Sequence, residues 1–71
     1  MQGRLKHVNR RGEGKPGGKY FLQASIIPMD EVLPYTGFDG LRFELEVSQH
    51  FGAGDVVNYE RKGKNVLRIW K

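Results

Sequence analysis

An alternation of apolar and polar residues with a period of two constrains the fold of this sequence more than any other feature. It is clearest over residues 40–47 (GLRFELEV), where every second residue from Leu41 to Val47 is apolar and charged residues stand between them. Successive side chains point to opposite faces along a β-strand, whereas an amphipathic helix repeats its apolar residues every three to four positions. The pattern therefore predicts strands with one buried face, and it places Phe43 in the core.

Similar alternation predicts four more strands. Residues 3–9 form a short first strand, residues 19–27 a second, and residues 55–70 a hairpin that turns at Gly63. Glycine tolerates the positive φ that a tight hairpin turn demands.

The longest connection, residues 28–40, contains two prolines and two glycines. These residues rule out a long helix and leave at most one short helical turn, in the stretch MDEVL. Five short strands with glycine-rich turns in a chain of 71 residues predict a single all-β domain spanning 1–71. We expect a small five-stranded OB-like barrel with long basic loops.

The charges are divided along the chain rather than mixed. Residues 1–20 carry six bases and one acid (+5), residues 21–60 one base and seven acids (−6), and residues 61–71 five bases (+5), which sum to +4. A surface made only for solubility would mix its signs. The two basic ends predict a surface that contacts a polyanion.

Residues 10–20 (RRGEGKPGGKY) contain the pattern G-x-G-x-x-G at Gly12, Gly14 and Gly17. In dinucleotide-binding proteins a helix opens at the third glycine, but here the strand-like stretch KYFLQASII follows. We therefore interpret the pattern as part of a basic hairpin and predict no nucleotide cofactor. Its glycines let the backbone approach a partner closely; a mobile loop charged only for solubility is the alternative.

A second basic turn favours the interpretation that the basic loops bind a ligand over the interpretation that they are charged only for solubility. With strands numbered in chain order, the first basic loop (residues 10–18) follows strand one and the second basic loop (residues 61–65) follows strand four. In OB barrels the loops at these two positions flank the ligand face, which strands two and three build.

Binding of single strands without sequence preference needs cations for the phosphates and aromatic faces for the bases. Phe21 shares a strand face with polar residues, and it either stacks on a base or packs under the long connection. Trp70 shares a face with Arg68, whereas Leu67 and Ile69 are predicted to point the other way. Trp70 therefore either stacks on a base or closes the end of the barrel.

The predicted nucleic-acid-binding residues are Arg4, Lys6, Arg10, Arg11, Lys15, Lys19, Phe21, Tyr59, Arg61, Lys62, Lys64, Arg68 and Trp70. Tyr59 is included because it lies beside Arg61. Tyr35 and Phe38 are predicted to anchor the long connection instead.

No catalytic or metal site is predicted. His7 and His50 have no cysteine or carboxylate at ligand spacing, and Glu44 and Glu46 alternate on what reads as the solvated face of a strand. We therefore expect no enzymatic activity, no metal, no cofactor and no small-molecule substrate.

The sequence contains no cysteine and predicts neither a disulfide nor a thiolate metal site. No apolar run approaches the roughly 20 residues of a membrane span. The first residues, MQGRLKH, are too polar for a signal peptide. We therefore expect no membrane association and, by default, a cytoplasmic location.

Two stretches, GEGKPGGKYFLQASI and LRFELEVSQHFGAGDVVNYERKGKNVLRIW, resemble the single-stranded DNA-binding (helix-destabilising) proteins of filamentous phages. The likeness covers residues 12–27 and 41–70. It consists of a basic hairpin with GKP before Tyr20, then a strand that begins GDVV at Gly54, and a terminal hairpin. The resemblance implies an OB fold, cooperative coating of replicating single strands, and a homodimer.

A weaker resemblance links GRLKHVN, YFLQASII and GFDGLRFELEV to cold-shock domains. The aromatic-rich RNA-binding strand of those domains is replaced here by RRGEG. Both resemblances imply an OB barrel and a single-stranded ligand.

We therefore expect sequence-tolerant binding of single-stranded nucleic acid, DNA rather than RNA, in a basic groove with aromatic stacking. The alternative is a small protein-interaction module that docks on a polymerase or replication factor. The acidic middle of the chain, including Asp30, Glu31, Glu44 and Glu46, would repel nucleic acid and fit a basic partner.

Overall fold

Five β-strands make up the fold, and no helix occurs in residues 1–14, 17–34 and 39–71, which the computed structural model describes. The strands are β1 (Gln2–Arg11), β2 (Tyr20–Pro28), β3 (Leu41–Val47), β4 (Val56–Lys62) and β5 (Asn65–Trp70). The prediction of an all-β chain with five short strands is confirmed, although β1 is longer than predicted at both ends. The stretch MDEVL forms a bend rather than a helical turn.

The strands pair in the order β3-β2-β1-β4-β5, and each of these pairings is antiparallel. β1 is the shared strand: it pairs with β2 from Gly3 to Arg11 and with β4 from Gln2 to Arg4. β3 lies beside β5, so that the sheet curls into a nearly closed barrel. The predicted small OB-like barrel is confirmed.

The alternation of apolar residues places the core inside this barrel. In β2 the even-numbered residues from Tyr20 to Ile26 are buried, whereas Phe21 and Gln23 are exposed. Phe43 is buried, as predicted. The most deeply buried side chains are those of Leu5, Leu22, Ile26, Phe51, Val57 and Tyr59. Burying one apolar side chain of this size stabilises the fold by about 1.5–3 kcal/mol.

The described residues of the β3–β4 and β2–β3 connections each include one buried apolar side chain. Phe51, between β3 and β4, packs beside Tyr20, whose hydroxyl donates to the Gln49 carbonyl at 2.7 Å and accepts from the Phe51 amide at 3.1 Å. Leu33, between β2 and β3, is buried as well. The two connections close opposite ends of the barrel, because one follows the carboxyl end of β3 and the other that of the antiparallel β2.

A β-bulge in β5 overturns one sequence prediction. The pairing of β4 with β5 steps from Glu60 and Arg68 to Arg61 and Val66, which leaves Leu67 between the two pairs. An extra residue of this kind re-aims the side chains next to it. Val66 is buried and Leu67 is 51% exposed, so the prediction that Leu67 points away from the surface is wrong.

A second bulge interrupts β1. Its pairing with β2 shifts between Lys6 and Asn9, so that His7 and Val8 together stand opposite Ala24. His7 has a φ of 57°, the only positive φ outside glycine in the described residues. A side chain adopts this left-handed conformation at an energetic cost, and the ladder between β1 and β2 opens here.

The hairpin between β4 and β5 turns at Gly63, as predicted. Lys62 pairs with Asn65, so Gly63 and Lys64 form a two-residue turn. Gly63 has a φ of 61° and Lys64 has no positive φ, which is the φ pattern of a type II′ turn, in which glycine is favoured at the first position.

The two basic loops lie at opposite ends of the strands. Tyr20, just after the first basic loop, contacts the β3–β4 connection through Gln49, whereas Arg61 in the second basic loop contacts Glu31 in the β2–β3 connection. The Cα atoms extend 40 Å along the longest axis of the molecule. A ligand that contacts both loops must therefore span most of the barrel.

Candidate nucleic-acid interface

Two aromatic side chains remain exposed on the described part of the barrel. Phe21 is 49% exposed and Trp70 is 39% exposed. The buried rings are those of Tyr20, Phe43, Phe51 and Tyr59. Phe21 and Trp70 are therefore the two aromatic residues in the described ranges whose rings a base can reach.

Phe21 lies in a row of outward-facing residues that crosses three strands. It stands opposite Arg11 in β1 and Glu46 in β3. Nη2 of Arg11 donates to Oε1 of Glu44 at 2.7 Å, and both of these side chains are about half exposed. Exposed ion pairs contribute only about 0–1 kcal/mol, so Arg11 can exchange this carboxylate for a phosphate beside the exposed ring.

Trp70 lines a cleft of ≈ 410 Å³ between the ends of β3 and β5, together with Lys19 and Glu46. The Arg68 guanidinium lies over the indole, 4.8 Å from the ring centroid, in a cation–π contact. The two residues share a face, as predicted. Since Glu46 borders both this cleft and Phe21, the two exposed rings belong to one surface. We call Phe21, Glu46, Lys19 and Trp70 the aromatic surface.

Tyr59 does not belong to this surface, and the prediction that it contacts nucleic acid is wrong. Its side chain is only 1% exposed, so no base can stack on it. Its hydroxyl donates to Oε1 of Glu31. Burial and this hydrogen bond to a carboxylate raise the pKa of Tyr59.

The Arg61 side chain is also engaged in a contact within the fold. Its Nε donates to Oε1 of Glu31 at 2.9 Å and its Nη2 to Oε2 at 2.8 Å, and about a fifth of each side chain is exposed. The hydrogen bonds from Arg61, followed by that from Tyr59, lower the pKa of Glu31 from 4.5 to about 2. Arg61 thus fastens the β2–β3 connection to β4, and the prediction that it contacts phosphate does not fit this geometry.

Two of the predicted arginines, Arg10 and Arg4, donate to backbone carbonyls of the β3–β4 connection. Nη1 of Arg10 donates to the Phe51 carbonyl at 3.0 Å, while its Nε donates to Glu13 at 2.8 Å. Nη1 of Arg4 donates to the Gly54 carbonyl at 2.9 Å. Both side chains help to hold the β3–β4 connection against β1.

The predicted lysines are divided between the two ends of the barrel. Lys19 lies on the aromatic surface, and Lys6 is exposed on the outer face of β1, opposite Ser25. Lys62 and Lys64 are exposed at the far end. The predictions for Lys15, Tyr35 and Phe38 lie outside the described residues.

The partners of the acids on the same face do not follow from the sequence. Glu44 and Glu46 are exposed on β3, as their alternation predicts. Glu44, however, pairs with Arg11, and Glu46 stands between the two exposed rings. These partners depend on the register between strands, which no local pattern in the sequence reveals.

No group of three or more His, Cys, Asp or Glu side chains in the described ranges could hold a metal ion. Among those same residues, no helix has the length and apolar character needed to cross a membrane. Comparison of the chain with family models, with curated proteins and with solved structures found no match.

Proposed function

We propose that this protein binds single-stranded nucleic acid, DNA in the first instance, on the aromatic surface. The observation that carries the proposal is the position of Phe21 and Trp70, the two exposed rings among the described residues, on either side of Glu46 near the first basic loop. Every base has a π face, so rings placed in this way hold a strand with little dependence on its sequence.

Cations stand where the phosphates of a stacked strand would pass. Arg11 lies beside Phe21, and Lys19 lines the cleft of Trp70. Arg68 lies over the indole itself. The ion pairs of the two arginines are exposed, so exchanging a carboxylate for a phosphate costs little.

The resemblance to the single-stranded DNA-binding proteins of filamentous phages supports the same ligand. Cooperative coating of single strands during replication, a homodimer and a cytoplasmic location are parts of the proposal that depend on this likeness.

A second candidate function is docking on another protein. Val32 is 95% exposed and Met29 is 54% exposed, both in the β2–β3 connection, at the end of the barrel opposite the first basic loop. Neighbouring exposed apolar side chains can mark a protein contact. Asp30 lies between them and would favour a basic partner, such as a polymerase or replication factor.

Titration with labelled oligo(dT), oligo(U) and duplex DNA at low salt tests the leading proposal. We expect oligo(dT) to bind best and the Phe21→Ala variant to lose about 1–3 kcal/mol of binding free energy, since one stacked base is lost. Leu67→Ala is the matched control, because it removes an apolar side chain of nearly equal exposure (51% against 49%) from another strand. Absence of binding by every oligonucleotide would overturn the proposal in favour of protein docking.

A further inference from the structure

A second cleft, of ≈ 470 Å³, opens on the outer face of β1, β2 and β3. It lies at the bulge in β1, where His7 adopts its positive φ and the ladder to β2 is interrupted. Ala24 and Ser25, which line the cleft, are small and buried. Strained backbone that persists in a native structure is found preferentially at functional sites.

Several side chains that line this cleft end in planar groups that form hydrogen bonds: two amides, a carboxylate and a guanidinium. Asn9 and Gln23 stand opposite each other on β1 and β2, and Gln23 stands opposite Glu44 on β3. Arg42 lies two residues before Glu44 on the same strand face, a spacing of roughly 7 Å. The cleft thus offers a fork of donors and a carboxylate acceptor side by side, flanked by two amides.

We propose that this cleft binds a guanine base, an inference that rests on the proposed binding of single strands. Guanine presents two acceptors, O6 and N7, that match the guanidinium of Arg42. Its adjoining edge presents two donors, N1–H and the N2 amino group, that match the carboxylate of Glu44. Adenine, cytosine and thymine each lack such a pair of neighbouring donors. The cleft therefore adds a preference at one position to a surface that otherwise tolerates any sequence.

The neighbouring contacts suit this role. Arg11 donates to Oε1 of Glu44 at 2.7 Å in the free protein, and its transfer to a phosphate would leave both oxygens of the carboxylate to accept from guanine. Arg42 is paired with Asp39 at 3.5 Å, a long contact between exposed groups that a bidentate base would replace.

The cleft also continues the aromatic surface. Gln23 follows Phe21 by two residues on the same face of β2. A base stacked on Phe21 would therefore neighbour the base held in the cleft, as successive nucleotides of one strand.

Oligo(dT) with one central dG tests the inference, since a single guanine cannot form four-stranded structures on its own strand. We expect the dG oligonucleotide to bind about tenfold more tightly than all-dT, the discrimination of one good bidentate pair. Deoxyinosine, which lacks the N2 amino group, and 7-deazaguanine, which lacks N7, should each lose part of this gain. A central dA or dC should bind no better than dT.

Glu44→Gln and Arg42→Lys should abolish the preference for dG, measured in each variant as the ratio of its dG to its all-dT affinity. A lysine lacks the planar fork, and an amide replaces one of the two acceptor oxygens of the carboxylate by a donor. Glu60→Gln is the matched control, since it removes one carboxylate from another exposed ion pair between strands, and it should retain the preference. Equal binding of dG and dT by the wild type, or a preference that survives Glu44→Gln, would overturn the guanine inference alone. Absence of binding to every oligonucleotide would overturn the proposed function as well.

Discussion

Tyr59 and Glu31, 28 residues apart in sequence, are joined by a hydrogen bond at the end of the barrel, where the phenol hydroxyl donates to the carboxylate. Arg61 binds the same carboxylate with two further hydrogen bonds. The three side chains tie the β2–β3 connection to β4, near the position where Leu33 enters the core. Tyr59 and Arg61, which the sequence predicts to bind nucleic acid, therefore stabilise the fold at this end of the molecule.

Acid should weaken this contact. The pKa of Glu31 is lowered to about 2, so its contribution to stability is complete above the unfolded pKa of about 4.5 and is lost as the pH falls through the folded value. We expect the melting temperature of the wild type to fall between pH 5 and pH 2. Glu31→Gln should be less stable by about 1–3 kcal/mol at pH 7, because it leaves Arg61 without its carboxylate, and should depend less on pH. Parallel pH profiles of melting temperature for the two proteins would exclude this role for Glu31.

A second prediction concerns the packing of β1 between its two neighbours. Gly3 pairs with Pro28 on one side and Val57 on the other. A Cβ atom at this position would lie 2.3 Å from Cγ2 of Ile26 and 2.9 Å from the Ile27 carbonyl oxygen.

Gly3→Ala should therefore destabilise the protein by about 1–3 kcal/mol through overpacking, as measured by thermal or urea unfolding. Gly52→Ala is the control: its Cβ would meet atoms no closer than 3.9 Å, and its φ is not in the left-handed region. Equal losses of stability in the two variants would contradict this prediction, because they would show that β1 shifts to accommodate the added methyl group at Gly3.

The strands follow from the sequence because burial on one face imposes a period of two, and β3 from Leu41 to Val47 has no interruption. The bulges do not follow from it. One extra residue at Leu67 or at His7 shifts the alternation, and only the pairing with the neighbouring strand reveals the shift. The candidate site could likewise be predicted only in part. The outward position of Phe21 follows from the alternation within its own strand, whereas its neighbours Arg11 and Glu46 depend on the register between strands.

Ionic strength should control the affinity for oligonucleotides. Contacts from about four cations to phosphates predict that log K falls with log[salt] with a slope of roughly −3, at about −0.7 per phosphate on single strands. Phe21→Ala should lower the affinity and leave this slope unchanged, because stacking releases no counterion. Binding that does not respond to salt would mean that Arg11 and Lys19 contact no phosphate.

The length of the oligonucleotide should determine whether the second basic loop contributes to the binding affinity. Lys62 lies at the end of the barrel opposite the first basic loop, in a molecule 40 Å long. Lys62→Ala should bind an oligonucleotide of about 4 nucleotides as tightly as the wild type does. It should bind one of about 16 nucleotides more weakly, with a salt slope smaller by about 0.7. Arg11→Ala should weaken both complexes, and a loss confined to the longer one would move the interface away from Phe21.

Trp70 offers a direct readout of binding because it is the only tryptophan in the chain. Its ring is 39% exposed in a cleft with Lys19, so a base that stacks there should quench its fluorescence. Trp70→Phe should retain most of the affinity, since a smaller aromatic face remains, whereas Trp70→Ala should lose about 1–3 kcal/mol of binding. Thermal melts of the same variants separate this role from a structural one, in which Trp70→Ala would cost about 3–5 kcal/mol of stability through the cavity it leaves.

Arg68→Ala, which removes the cation over the indole, should keep the quenching and lower the salt slope by about 0.7. Unchanged fluorescence at saturating oligonucleotide would remove Trp70 from the interface and leave Phe21 as its one stacking residue in the described chain.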